Sequence, residues 1–136
     1  MGYRSDVLLA IAFAHKEDRD EVWAVYCMDP RVQEHNLASE WKNHDDEKAG
    51  IYCLWWDVDH VKWYESYSDV QGYEHLKTVA EQFAENRGTQ YAWVKYRIGE
   101  ETSDIEKELM ENDGTGDLQE YLWDMCGVSR ELTHKF

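Results

Sequence analysis

Eight consecutive apolar residues, Val7-Leu8-Leu9-Ala10-Ile11-Ala12-Phe13-Ala14, are bounded by Asp6 and by His15-Lys16. A run this short, apolar at odd and even positions alike, has no polar face to turn to water. It reads as a central β-strand covered on both sides, and the sheet is built around it. The run falls far short of the roughly 20 residues that span a bilayer, and no cleavable signal sequence precedes it. The chain is therefore expected to stay soluble inside a cell, without a membrane partner.

The remaining pattern alternates helix and strand. Glu17, Asp18, Asp20 and Glu21 crowd a helix start, where carboxylates favour the positive end of the dipole, and Val22, Val25 and Tyr26 supply its inward stripe. Asp29 can cap a second helix with Pro30 at its first position and Val32, Leu37 and Trp41 as anchors. Lys42 to Lys48 reads as a loop. Ile51 to Asp57 and His60 to Tyr64, rich in aromatic and β-branched residues, form two strands or one long bent strand. Ser68 with Gln71 makes a capping box. From there Val70, Tyr73, Leu76, Ala80, Phe83 and Ala84 recur at helical spacing until Arg87-Gly88 closes the segment. Gln90 to Ile98 alternates as a strand with one partly exposed face.

Further on, Ser103 with Glu106 again suggests a capping box, and Ile105 and Leu109 lie one helical turn apart. Asp113-Gly114-Thr115-Gly116 breaks the segment before Leu118, Tyr121, Leu122 and Met125 resume a helical stripe, so two short acidic helices are expected. Gly127 can end the second, and Val128, Leu132 and Phe136 then read as a final strand. With 136 residues there is room for one core. The expected fold is a single α+β domain over residues 1–136, a two-layer sandwich with a mainly antiparallel sheet and helices on one face. An acidic helical insertion at about 100–126 precedes the last strand.

Fourteen Lys and Arg against 29 Asp and Glu leave a net charge of −15. Such a surface repels phosphate backbones and excludes conventional nucleic-acid binding. Ten of the acids, against the single base Lys107, fall between Glu100 and Asp124. Within that stretch Glu101, Asp104, Glu108 and Glu111 follow a 3-4-3 spacing, which lines them along one face if the segment is helical. Like charges at those intervals oppose each other by roughly 0.2–0.5 kcal/mol per pair, so something other than helix stability favours the pattern. Together with Asp113, Asp117, Glu120 and Asp124 they form the candidate partner-binding set, a row of charge that imitates nucleic-acid phosphates. The plain alternative is a solvated face that confers solubility.

Other chemistry has less support. Asp57, Asp59 and His60 form a D-x-D-H cluster, with His44-Asp45-Asp46 upstream, that a divalent cation would accept; an acidic turn explains the same residues. Asp113 to Asp124 fails as a calcium loop, because Leu118 stands where glycine is required and Asp124 where the bidentate glutamate is required. Nucleophile, phosphate-loop and dinucleotide motifs are absent, so no cofactor and no catalytic residue is assigned. Cys27, Cys53 and Cys126 are odd in number and widely spaced, which fits free thiols in a reducing cytoplasm. Trp55, Trp56, Trp63, Tyr64 and Trp93 could stack on bases or sugars, although aromatics at strand spacing more often fill a core.

Gly2-Tyr3-Arg4-Ser5-Asp6-Val7, Val61-Lys62-Trp63-Tyr64, Tyr67 with Asp69-Val70, and Gly127-Val128-Ser129-Arg130 resemble segments of small acidic proteins encoded by tailed bacteriophages and prophages. The resemblance implies a non-virion protein made in the cytoplasm of an infected bacterium, and it transfers no catalytic residue. The same residues have a structural reading, in which Arg4–Asp6 pairing and aromatic packing fix a sheet edge. The expected function is a phage accessory protein that binds and inhibits a host defence or nucleic-acid-handling protein through the latter's basic surface. The alternatives are a metal-binding protein or metal-dependent enzyme using Asp57, Asp59 and His60, and an assembly protein that forms homo-oligomers through exposed aromatics.

Overall fold

A computed structural model describes residues 2–101, 103–112, 115–128 and 131–136. The apolar run forms β1 (Ser5–Phe13), in which every residue from Val7 to Phe13 is fully buried. Helices α1 (Lys16–Tyr26) and α2 (Pro30–Glu34) and a 3-10 turn (Leu37–Glu40) follow. Next come β2 (Lys42–Asp46), β3 (Ile51–Val61), α3 (Ser68–Arg87) and β4 (Tyr91–Gly99). The chain continues with β5 (Ile105–Glu111) and α4 (Asp117–Met125) and finishes with the short strands β6 (Cys126–Val128) and β7 (Leu132–His134).

The fold is α+β. Five strands in the order β2-β3-β1-β4-β5, each antiparallel to its neighbours, form the sheet with β1 at its centre. Val7, Leu9, Ile11 and Phe13 turn to the side where α1, α2 and α3 pack, around Val22, Tyr26, Val32, Leu76 and Ala80. Leu8, Ala10 and Ala12 face a second core, with Leu118 and Leu122 of α4 and Cys126. The sheet is thus covered by three helices on one side and by α4 and the C-terminal hairpin on the other. Double coverage also explains β4, where a partly exposed face was expected. Tyr91 through Tyr96 are all buried, Tyr91 and Trp93 in the first core and Ala92, Val94 and Tyr96 in the second.

Local signals account for several boundaries. Asp29 accepts from the N–H groups of Arg31 and Val32 and caps α2, with Pro30 opening the helix. Gly88 ends α3 at φ +70°, a left-handed position that costs glycine little. Residues 51–61 form one long strand with a bulge. The register shifts between Ser5 and Val7, His60 adopts φ +57°, and the His60 N–H donates to Asp6 Oδ1 at 2.8 Å. Asp6 is therefore committed to that bulge. The expected Arg4–Asp6 ion pair is not formed; the Arg4 N–H donates instead to Glu100 Oε1 at 2.7 Å, at the start of the central strand.

Other expectations are corrected. Lys42–Asp46 is a strand, because pairing with Trp55 through Ile51 satisfies its backbone whatever its side chains. Tyr67 occupies the α3 N-cap without a side-chain bond, while Ser68 Oγ pairs with His35 Nε2 at 3.2 Å and Gln71 Nε2 donates to the Glu65 carbonyl at 3.1 Å. The C-terminal segment is a hairpin, with Cys126 opposite His134 and Val128 opposite Leu132. Ser129 and Arg130 lie outside the described residues.

The largest correction falls at 100–126. Its second half is helical, as α4, but its first half is β5, paired with β4 from Ile98↔Ile105 to Ala92↔Glu111. Ile105 and Leu109, four apart, share a face in a strand as well as in a helix. Glu106 lies opposite Arg97 and Glu108 opposite Lys95. Cross-strand bases relieve the acids in a way that an isolated helix with Lys107 alone could not.

Candidate interaction surface

β5 separates two populations of carboxylates. Its even-numbered side chains share a face with Trp93, Lys95 and Arg97. Glu108 Oε1 accepts from Lys77 Nζ and from Trp93 Nε1, both at 2.9 Å. Burial pushes Glu108 up, but Lys77, the Trp93 indole and Lys95 outweigh it and hold the carboxyl below its ordinary value. Lys95, 4% exposed, lies between Glu74 at 2.9 Å and Glu106 at 2.7 Å. Burial alone would lower the Lys95 pKa, and the two glutamates reverse that, so it stays charged. Arg97 holds Asp104 at 2.9 and 3.2 Å and donates to Ser5 Oγ at 3.1 Å. The bond from Arg97, then that from the Tyr3 hydroxyl at 2.7 Å, keep Asp104 low. Cavities of about 600 Å³ and 440 Å³ flank this network and share Glu65 and Lys95. Trp63 borders the smaller one, and its buried Nε1 has no partner among the described residues.

The other face is different. Asp117, Glu120 and Asp124 lie on α4 at 3-4 spacing, all exposed, with Glu111 at the end of β5 just before the connection. None of the four makes an ion pair among the described residues, and the last turn of α4 holds no base. Trp123, 52% exposed, stands among them. With the Gln119 amide turned to satisfy both neighbours, it donates to the Met110 carbonyl at 3.2 Å and accepts from Trp123 Nε1 at 3.1 Å. This bridge pins the indole beside β5. Leu109 and Ile105 are 44% and 38% exposed on the same face.

The eight acids expected to act together are therefore divided. Asp104 and Glu108 are consumed by Arg97 and by Lys77 with Trp93. Glu101 is exposed in the turn before β5, its N–H donating to the Tyr3 hydroxyl at 3.2 Å. Because 105–111 is a strand, Glu101, Asp104, Glu108 and Glu111 form no helical row. Glu101, Glu111, Asp117, Glu120 and Asp124 make no ion pair among the described residues, the last four of them on the α4 side, and Asp113 lies outside the described residues. The sequence reading missed the internal network around Lys95. Its only trace was two bases at alternate positions of an otherwise apolar strand.

The metal candidates do not converge. Asp57 Oδ2 lies 3.2 Å from His134 Nε2, while His60 is set in the left-handed bulge. His44 is at the other end of the sheet's edge, 2.9 Å from the Tyr121 hydroxyl, which donates to Asp46 Oδ2 at 2.9 Å. Asp45 is paired with Arg19 and, at 3.7 Å, with Lys16. Among the described residues no group of three or more His, Cys, Asp or Glu gathers to hold a metal ion. The tryptophans offered as stacking platforms, Trp55, Trp56, Trp63 and Trp93, are core residues. Tyr64, half-buried, packs edge-on against Tyr67. The thiols are free; Cys53 and Cys126 are buried, and burial pushes the Cys126 thiol up to about 12, away from nucleophilic chemistry. No helix among the described residues is long and apolar enough to cross a membrane.

Compared with protein-family models, curated proteins and solved structures, the chain matches none.

Proposed function

We propose that this chain is a phage-encoded accessory protein that acts in the host bacterial cytoplasm. It binds and inhibits a host defence or nucleic-acid-handling protein by occupying a basic surface in place of nucleic acid. The observation that carries this reading is the exposed face of α4, where Asp117, Glu120 and Asp124 form a row beside Trp123 with no internal counter-ion among the described residues. Like charges at three- and four-residue spacing each cost a helix about 0.2–0.5 kcal/mol, and Asp124 opposes the negative end of the helix dipole. A basic partner turns both penalties into attraction. The indole supplies the apolar anchor that an acidic patch alone lacks, and tryptophan is among the residues that dominate interface energetics. The phage origin rests on the resemblance of Gly2–Val7, Val61–Tyr64 and Gly127–Arg130 to phage proteins.

Long-range attraction from a net charge of −15 speeds encounter and makes it sensitive to salt. The test is capture from bacterial lysate at low and high salt. Wild-type protein is expected to retain a nucleic-acid-handling protein at low salt and to compete with DNA or RNA for it. The quadruple variant Glu111→Lys, Asp117→Lys, Glu120→Lys, Asp124→Lys is expected to lose both effects while keeping its circular dichroism spectrum. Capture and competition unchanged in that variant would overturn the proposal.

A further inference from the structure

We infer that the open edge of β5 accepts an extended peptide segment as a sixth strand, one whose residues alternate between basic and apolar. This deepens the proposed function by naming the part of a partner that the acidic surface receives, and it rests on that reading for the sign of the partner's charge.

Backbone direction sets the argument. The Gly99 N–H donates to the Asp104 carbonyl at 2.8 Å, and the Asn112 N–H donates to the Tyr91 carbonyl at 3.2 Å. Even-numbered residues along β5 therefore turn their backbone groups toward β4, and the odd-numbered Ile105, Lys107, Leu109 and Glu111 turn theirs to the open edge. The Ile105 N–H is taken by the Ser103 carbonyl at 3.1 Å. Lys107, Leu109 and Glu111 each turn an N–H and a C=O to the side where the sheet has no further strand among the described residues. Such an edge is a template for another chain unless it is blunted.

Side chains then select the occupant. On the α4 face an added strand would lie beside Ile105, Leu109 and Trp123, three of the six large hydrophobic residues the molecule exposes among its described residues, with Lys107 between Ile105 and Leu109 turning any base of the partner to the other face. On the opposite face it would lie beside Glu106 and Glu108, whose side chains remain 38% and 36% exposed despite their internal pairs. The pleat sends alternate residues of a strand to these two faces, which calls for apolar residues on one and bases on the other. A second copy of this chain fits poorly, because pairing β5 with itself brings Glu106, Glu108 and Glu111 of each copy together under a charge of −15 apiece. The acids that blunt the edge against its own kind suit a basic strand. At the opposite edge, β2 offers Lys42, Asn43, His44, Asp45 and Asp46 and no apolar side chain.

The probes are two end-capped heptapeptides of four lysines and three valines, one alternating and one with lysines and valines in separate blocks, titrated calorimetrically into the full chain. Strand addition predicts at least ten-fold tighter binding of the alternating peptide; equal affinities would overturn it. Lys107→Pro removes an edge N–H without touching the β4 ladder. It is expected to weaken the alternating peptide at least ten-fold, whereas attraction by charge alone would tighten it, since the variant is one unit more negative. If that variant fails to fold, the alternating peptide methylated at alternate backbone nitrogens puts the same question to the wild-type protein, and undiminished binding would refute the edge. A dimer in sedimentation that Lys107→Pro dissolves would assign the edge to a second copy and overturn the basic occupant. The quadruple α4 variant separates the two proposals. If both peptides bind wild type equally and both are lost in that variant, acidic docking stands and strand addition falls.

Discussion

The two faces of β5 carry carboxylates of the same chemistry under opposite circumstances. On the α3 side, Asp104, Glu106 and Glu108 are matched by Arg97, Lys95 and Lys77 at 2.7–2.9 Å, in a setting where Lys95 and Trp93 are buried. On the α4 side, Glu111, Asp117, Glu120 and Asp124 face solvent without internal counter-ions among the described residues. The first group supports the fold, since Lys95 and Arg97, with side chains only 5% and 16% exposed, would otherwise lose counter-charges at poorly solvated sites. In the second group Asp117 and Glu120 gain from the positive end of the α4 dipole, but Asp124 opposes its negative end and the three repel one another, so the fold gains little from them. Density of acidic residues along the chain is thus a poor guide to function, and the absence of an internal partner is a better one.

The contrast breaks most visibly at Lys95. Lys95→Ala leaves Glu74 and Glu106 facing each other without their cation, and is expected to cost about 2–3 kcal/mol in urea denaturation, less than a fully buried pair because the two carboxylates keep 21% and 38% exposure. Adding Glu74→Gln and Glu106→Gln to that variant should recover most of the loss, because the uncompensated charge, more than the missing ion pair, carries the penalty. A loss under 1 kcal/mol for Lys95→Ala would mean that this network is as dispensable as the α4 acids.

How much of this was legible in the sequence follows the same division. The doubly buried β1 was readable because an all-apolar run has only one way to hide both faces. Asp29-Pro30 and Gly88 were readable because capping chemistry is local. The α4 stripe of Leu118 and Leu122 was readable from its period. β5 was not, since Ile105 and Leu109 satisfy both periods, and the choice depends on Lys95 and Arg97, which lie on the preceding strand beyond the reach of a helical turn. β2 was hidden for a related reason, its pairing being made by backbone groups while its side chains read as loop. Of the candidate surface, the charge was visible, but which acids were already taken depended on partners such as Lys77 and Trp93 that only the folded chain brings near.

Acid titration sharpens the comparison with an intermediate effect. Asp104 and Glu108 are held below their ordinary values by their partners. A carboxyl lowered in the folded state contributes stability that is complete above its unfolded pKa, near 4, and disappears as pH falls through the folded value. The share of stability that these two carboxyls supply should therefore be flat from neutral pH down to about 5 and decline below it, while His75, which burial holds below its ordinary value, adds a separate and earlier decline as pH falls through about 6.5. Glu108→Gln is expected to lower stability at neutral pH by about 1–3 kcal/mol, since Lys77 loses its counter-charge at a half-buried site and the buried Trp93 indole keeps only a neutral acceptor. The same substitution should flatten the acid decline. The measurement is urea midpoint against pH for both proteins, and an unchanged slope would remove Glu108 from the structural group.

The smallest effect is the most diagnostic, because its sign is reversed. Asp124→Asn removes a negative charge from the last turn of α4 and one like-charge partner of Glu120. The helix should gain about 0.3–1 kcal/mol from its dipole and a few tenths more from the relieved repulsion, seen as a small upward shift of the urea midpoint. If the α4 row exists to meet a basic surface, the variant should bind its partner more weakly while folding more tightly. Stability and binding moving apart is what separates a surface kept for recognition from one kept for hydration. A solubilising coat would lose nothing measurable in capture when one of its acids becomes an amide, and the midpoint would still rise.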